Sequence, residues 1–158
     1  MGDDAGVTFG LTLVHLGVAT LWFGSMAYSL FVVQPRLARA LGDPVRAEEA
    51  YRALAAGNRW RVAGLIAVLA LSGVGLALLH DGRSATWWLL VSAKAGLLLA
   101  ASALFWWVSW RGWPRRVFAR PAELPAEQAR FRRVALVMAT LVGAAFLLGV
   151  VAAHAPWR

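Results

Sequence analysis

The sequence predicts an all-α integral membrane protein, a four-helix antiparallel transmembrane bundle with both termini on the outer side. Three observations carry this. Of the residues, 60% are hydrophobic and only 15% charged, with a mean hydropathy of +0.61, far from the averages of soluble domains. Four apolar stretches of bilayer-crossing length alternate with short polar segments. The arginines gather in two of those segments, which the positive-inside rule assigns to the cytoplasmic face. At 158 residues there is room for one membrane domain and none for a soluble one beside it. The net charge of +8 follows from topology, so nucleic acid is not an expected partner. The sequence contains no cysteine, which excludes disulfides, thiolate ligands and thiol nucleophiles but leaves imidazole, thioether and carboxylate donors.

The first span is expected over residues 7–33. It follows an acidic start, Gly2-Asp3-Asp4, that lacks the positive region of a cleavable signal, so the helix is expected to be retained. Gly10, Gly17 and Gly24 form a bare stripe where another helix can approach closely, and Pro35 is expected to end the span. In the polar segment that follows, Asp43-Pro44 reads as an N-cap with proline at the first helical position. This predicts an amphipathic surface helix over about 45–56, interrupted at Gly57-Asn58. The second span is expected over 62–79, with Ser72, Gly73 and Gly75 as small packing residues, closed by a tight turn at His80-Asp81-Gly82-Arg83. The third, over 86–110, is bracketed by Trp87 and Trp88 at one end and Trp106, Trp107, Trp110 and Trp113 at the other, as interfacial aromatic belts are. A second basic segment, broken by Pro114, Pro121 and Pro125, leads into a helix whose apolar part covers 134–154.

Two ionisable residues lie inside these spans. His15 and Lys94 each sit eight residues in from the outer end of their helix, roughly 12 Å deep at 1.5 Å per residue. A charge there is costly, about 2.5–3.5 kcal/mol on insertion scales, so such groups normally face the bundle interior with a partner. Lys94 is either such a group or a side chain that snorkels to the surface; His15 is either a ligand or a packed ring donating to a nearby carbonyl. A neutral imidazole suits a metal ion or haem iron, with Lys94 as second ligand, proton acceptor or anion contact. His80 and His154 fall at the outer boundary and either face interfacial water or join His15 in a three-imidazole site suited to copper or zinc. Met26 and Met138 lie in the inner half, as core filler or as thioether ligands for Cu(I). Trp22 packs between helices or walls a flat-cofactor pocket. No carboxylate lies within a span, and no glycine-rich phosphate loop occurs.

The string His15-x6-Trp22-x-Gly24, followed by Phe31-Val32-Val33-Gln34-Pro35, resembles the first helix of the copper-resistance D (CopD) type of membrane domain. Ala93-Lys94-x-x-Leu97 before a basic loop is similar to that family's third helix. The resemblance implies a multi-pass protein of a bacterial inner membrane that handles copper, by binding, transport or resistance, with His15 as the candidate ligand. A second resemblance is to the HemJ type of protoporphyrinogen oxidase, through His15, Trp22, Phe23 and Lys94, and implies haem b and porphyrinogen oxidation or electron transfer. That family's histidines after the lysine are here Phe105, Trp106 and Trp107, so haem binding is expected ahead of enzyme activity. A structural subunit of a homo-oligomer or larger complex, docked through the glycine stripe of the first helix, is the third expectation.

Overall fold

The computed structural model describes residues 2–79 and 84–154, and the side chains of 5–79 and 84–152. The helices are α1 (Gly2–Tyr28), α2 (Gln34–Leu41), α3 (Pro44–Ala55), α4 (Asn58–Leu79), α5 (Ala85–Trp107), α6 (Trp113–Val117) and α7 (Leu124–His154). Four continuous helical stretches are long and apolar enough to cross a membrane: Ala5–Leu41, Asn58–Leu79, Ala85–Val117 and Leu124–Ala152. Their outward faces carry large apolar residues such as Leu21, Leu71, Leu99 and Leu147, as lipid contact requires. The expected turn at His80-Asp81-Gly82-Arg83 lies outside the described residues.

Pro35 does not end the first span. The helix runs through it to Leu41 and stops at Gly42, whose φ of +62° only glycine adopts freely, with the Gly42 amide donating to Ala38 O. A proline inside an α-helix lacks one donor and clashes with the preceding turn. Here the turn before it, Ser29–Val33, is widened to a π-turn in which the Gln34 amide donates to Ser29 O. That wider turn gives the pyrrolidine ring its room. The third span repeats the device: the π-turn Val108–Gly112 precedes Pro114, the Trp113 amide donates to Val108 O, and the helix continues to Val117 instead of ending near 110.

The match goes further than the turns. The two π-turns are related by a shift of 79 residues, and the same shift carries Pro35 onto Pro114, Trp22 onto Ala101 and His15 onto Lys94. Trp22 and Ala101 are the two most deeply buried hydrophobic residues described, at 1% and 0% exposure. Each of the two helices packs on the next span against a glycine at the level of its ionisable residue: His15 against Gly73, Lys94 against Gly149. The bundle is therefore one helical hairpin used twice, α1 with α4 and α5 with α7.

Within each hairpin the helices are antiparallel, since contacts pair rising with falling numbers: Leu11 with Gly75 and His15 with Gly73, then Lys94 with Gly149 and Gly112 with Phe131. The hairpins meet along α1 and α7, where Phe23 stacks on Phe146 and abuts Gly143. Each of the four spans sends one buried residue to the common core, Trp22, Leu69, Ala101 and Val142. A Cβ at Gly143 would lie 3.0 Å from the Phe23 ring, so Gly143→Ala should loosen this seam by about 1–2 kcal/mol, read as a lower midpoint of unfolding in mixed detergent micelles. The stripe of Gly10, Gly17 and Gly24 behaves differently. A Cβ at any of the three would meet nothing within 4 Å, so among the described residues no other helix makes the close approach expected there.

The predicted surface helix is α3, capped as expected by the Asp43 carboxylate, which accepts from the Val45 amide at 2.9 Å. Gly57, at φ +73°, separates it from α4. Its docking face is polar. Glu48, only 3% exposed, accepts two hydrogen bonds on each oxygen: from Arg116 Nε (2.7 Å) and Arg52 Nε (3.1 Å) on Oε1, and from Arg116 Nη2 (2.6 Å) and Gln128 Nε2 (3.1 Å) on Oε2. The Arg116 guanidinium, itself 7% exposed, lies between the rings of Tyr51 and Phe131, at 4.7 and 4.9 Å. This network ties α3 to α6 and α7 at the arginine-rich end.

Candidate functional site

His15 is half-buried, and its Nδ1 lies 2.8 Å from Ser72 Oγ across the α1–α4 seam. The serine hydroxyl has one proton, and it is directed at Val68 O, 2.6 Å away. With the hydroxyl proton so directed, Ser72 Oγ can accept from the imidazole, and the tautomer that matches this carries its proton on Nδ1 and its lone pair on Nε2. Gly73 is the reason the ring fits, for a Cβ there would stand 3.2 Å from His15 Cε1. This is how proteins hold a metal-binding histidine, one nitrogen anchored so that the other is aimed and basic. By sequence alone Ser72 reads only as a small packing residue.

Lys94 stands at the equivalent position of the second hairpin. It is half-buried, and its Nζ would be 3.0 Å from a Cβ at Gly149. Among the described residues it has no hydrogen-bond or ion-pair partner. Of the other candidate imidazoles, His80 lies outside the described residues, and His154 is the last residue of α7 with its side chain outside them. Among the described residues, no group of three or more histidine, cysteine, aspartate or glutamate side chains is placed to hold a metal ion.

The remaining candidates come together elsewhere. Trp22, Met26 and Met138 line one cavity of about 450 Å³ between the two π-turns, toward the arginine-rich end. Neither His15 nor Lys94 lines it, so Trp22 does not share a pocket with the two ionisable residues. A second cavity, of about 460 Å³, opens beside the Glu48 network between α2, α3 and α7.

At the π-turns the two hairpins differ in one useful respect. In the second, the carbonyl that Pro114 leaves without a backbone donor belongs to Ser109, and it accepts from Arg59 Nη2 at 2.5 Å, while that guanidinium lies 4.6 Å over the Trp110 ring. In the first, the corresponding carbonyl is that of Leu30. The Gln34 amide goes to Ser29 O, Pro35 has no N–H, and no side chain among the described residues donates to Leu30 O.

Burial alone would raise the pKa of Glu48, but the hydrogen bonds from Arg116, Gln128 and Arg52 and the Arg116 charge outweigh it. The carboxyl is held below its usual range. Sequence reasoning had no signal for this pair, which joins residues 68 apart in two polar segments. For the equivalence of His15 and Lys94 a signal was present: each precedes the proline of its span by twenty residues. Comparison of the chain with protein-family models, with curated proteins and with solved structures finds no match.

Proposed function

We propose that this chain handles copper in a bacterial inner membrane, taking the ion at the end of the bundle away from the arginines. The observation that supports this reading is the Ser72–His15 pair, in which Ser72 Oγ can accept from Nδ1–H and leave Nε2 as a ligand. His80 and His154 belong to the same end of the bundle by chain order and would complete a nitrogen ligand set of the kind copper favours. In this orientation both termini are outside and the two arginine-rich segments inside. The protein in lipid nanodiscs should retain copper at a one-to-one ratio by elemental analysis. His15→Ala should lose it, and Ser72→Ala, which removes only the ring's anchor, should weaken it about 10-fold. Absence of stoichiometric copper, or a His15→Ala variant that binds normally, would sink the proposal.

The equivalence of His15 and Lys94 in the two hairpins supports a second reading, in which the His15 imidazole and the Lys94 amine would hold a haem b iron. An absorbance spectrum of the same sample separates the two. A Soret band shifted in both His15→Ala and Lys94→Ala would favour haem, and a colourless sample that stays colourless after haem addition would dispose of it.

A further inference from the structure

The cavity between the π-turns is walled by rings and has a polar rim. Trp22, Phe105, Trp113 and Phe131 line it, together with the soft side chains of Met26 and Met138. Ser29, Gln34, Tyr51 and Asn58 also line it, and their hydroxyl, amide and phenol groups have no hydrogen-bond partner among the described residues. Leu30, whose carbonyl lacks a donor, lines it as well. The volume of about 450 Å³ lies within the range of small-molecule sites, and a mostly apolar hollow with a few convergent polar groups is their usual form.

The chemistry of these groups narrows the ligand. A lipid phosphate would have one cation to meet among the lining residues, Arg59, which donates to Ser109 O and lies over the Trp110 face, while the other polar side chains lining the hollow are uncharged. An acyl chain alone would use neither the ring walls nor the unpaired polar groups. What remains is a neutral, planar head with oxygen groups on an apolar tail. Hydroxyl and amide side chains can donate to its carbonyls, and the Leu30 carbonyl can accept from its hydroxyl when reduced.

We infer that this cavity binds a membrane-dissolved ligand of the quinone class, ring between the aromatic walls and oxygens at the Ser29–Gln34 rim. The inference is independent of the metal reading, since neither His15 nor Lys94 lines the cavity.

The test is retention of decyl-ubiquinone by the protein in lipid nanodiscs, measured against empty nanodiscs, with decylbenzene as a competitor that has ring and chain but no oxygen. Saturable retention is expected. It should fall at least tenfold in Ala135→Trp, which fills the cavity from its wall, and severalfold in Gln34→Leu and Ser29→Ala, with decylbenzene a poor competitor. Circular dichroism checks each variant, and should Ala135→Trp fail to fold, the two rim variants decide. Retention no greater than in empty nanodiscs, retention unchanged in both rim variants, or decylbenzene competing equally well would overturn the proposal.

Discussion

Replacing Glu48 with alanine should cost about 3–5 kcal/mol of stability, one of the two largest losses expected from a single side chain in this protein. The substitution leaves the Arg116 guanidinium buried without its counter-charge, and that uncompensated charge, more than the lost attraction, sets the cost. Removing both partners should hurt less than removing either: Glu48→Leu combined with Arg116→Met leaves no buried charge behind. A double-mutant cycle by detergent-mediated unfolding checks this, and additive losses would mean that the two side chains act independently. The pair also makes stability depend on pH. Because the folded carboxyl is held below its usual range, its contribution is complete above the unfolded-state value of about 4.3 and is lost as pH falls through the lower folded value. Wild type should lose stability over that acid window, and Glu48→Gln should be flatter across it.

The second large effect is expected at Trp22. It is 1% exposed, at the point where all four spans meet, and it also forms part of the cavity wall. Trp22→Ala removes an indole that the neighbouring side chains cannot replace by collapse, at a cost of about 3–5 kcal/mol. In a bilayer the loss is chiefly of close packing, because lipid tails supply no hydrophobic drive between helices. The same variant should enlarge the cavity, so Trp22→Phe, which keeps a ring in place, should recover more than half of the stability. Equal losses in the alanine and phenylalanine variants would show that shape at this position does not matter.

The four spans and the capped surface helix were legible because length, hydropathy and capping are local properties, and Asp43-Pro44 declares its helix outright. Pro35 misled for an equally local reason. The residue that forbids an ordinary α-turn was visible, but the wider turn that accommodates it, built from the unremarkable Ser29–Val33, was not. The site was half legible. His15 and Lys94 stand out as ionisable residues in apolar sequence, whereas Ser72 reads as one small residue among several until folding sets its hydroxyl against the ring. Glu48 and Arg116 looked like ordinary members of charged segments, and only the docking of α3 onto α6 and α7 makes them a buried pair. The duplication was present in the spacing of His15 to Pro35 and Lys94 to Pro114, but the second helices of the two hairpins share too little for similarity to reveal it.

The π-turns also set the angular phase of the two long helices. Each adds one residue without adding a turn, so everything beyond it is swung about 100° from where an unbroken α-helix would put it. Above Ser29 and Val108 the faces are chosen by the core; below them, the faces bearing Arg36, Arg39, Arg115 and Arg116 are set one notch round. The membrane-buried and surface parts of spans one and three are thus indexed separately, like two gears on one shaft. Arg116 reaches Glu48 by virtue of that offset: drawing Val108–Gly112 into an ordinary α-turn at unchanged length would turn it away, whereas deleting a single residue there removes the extra residue together with the bulge and leaves Arg116 facing Glu48.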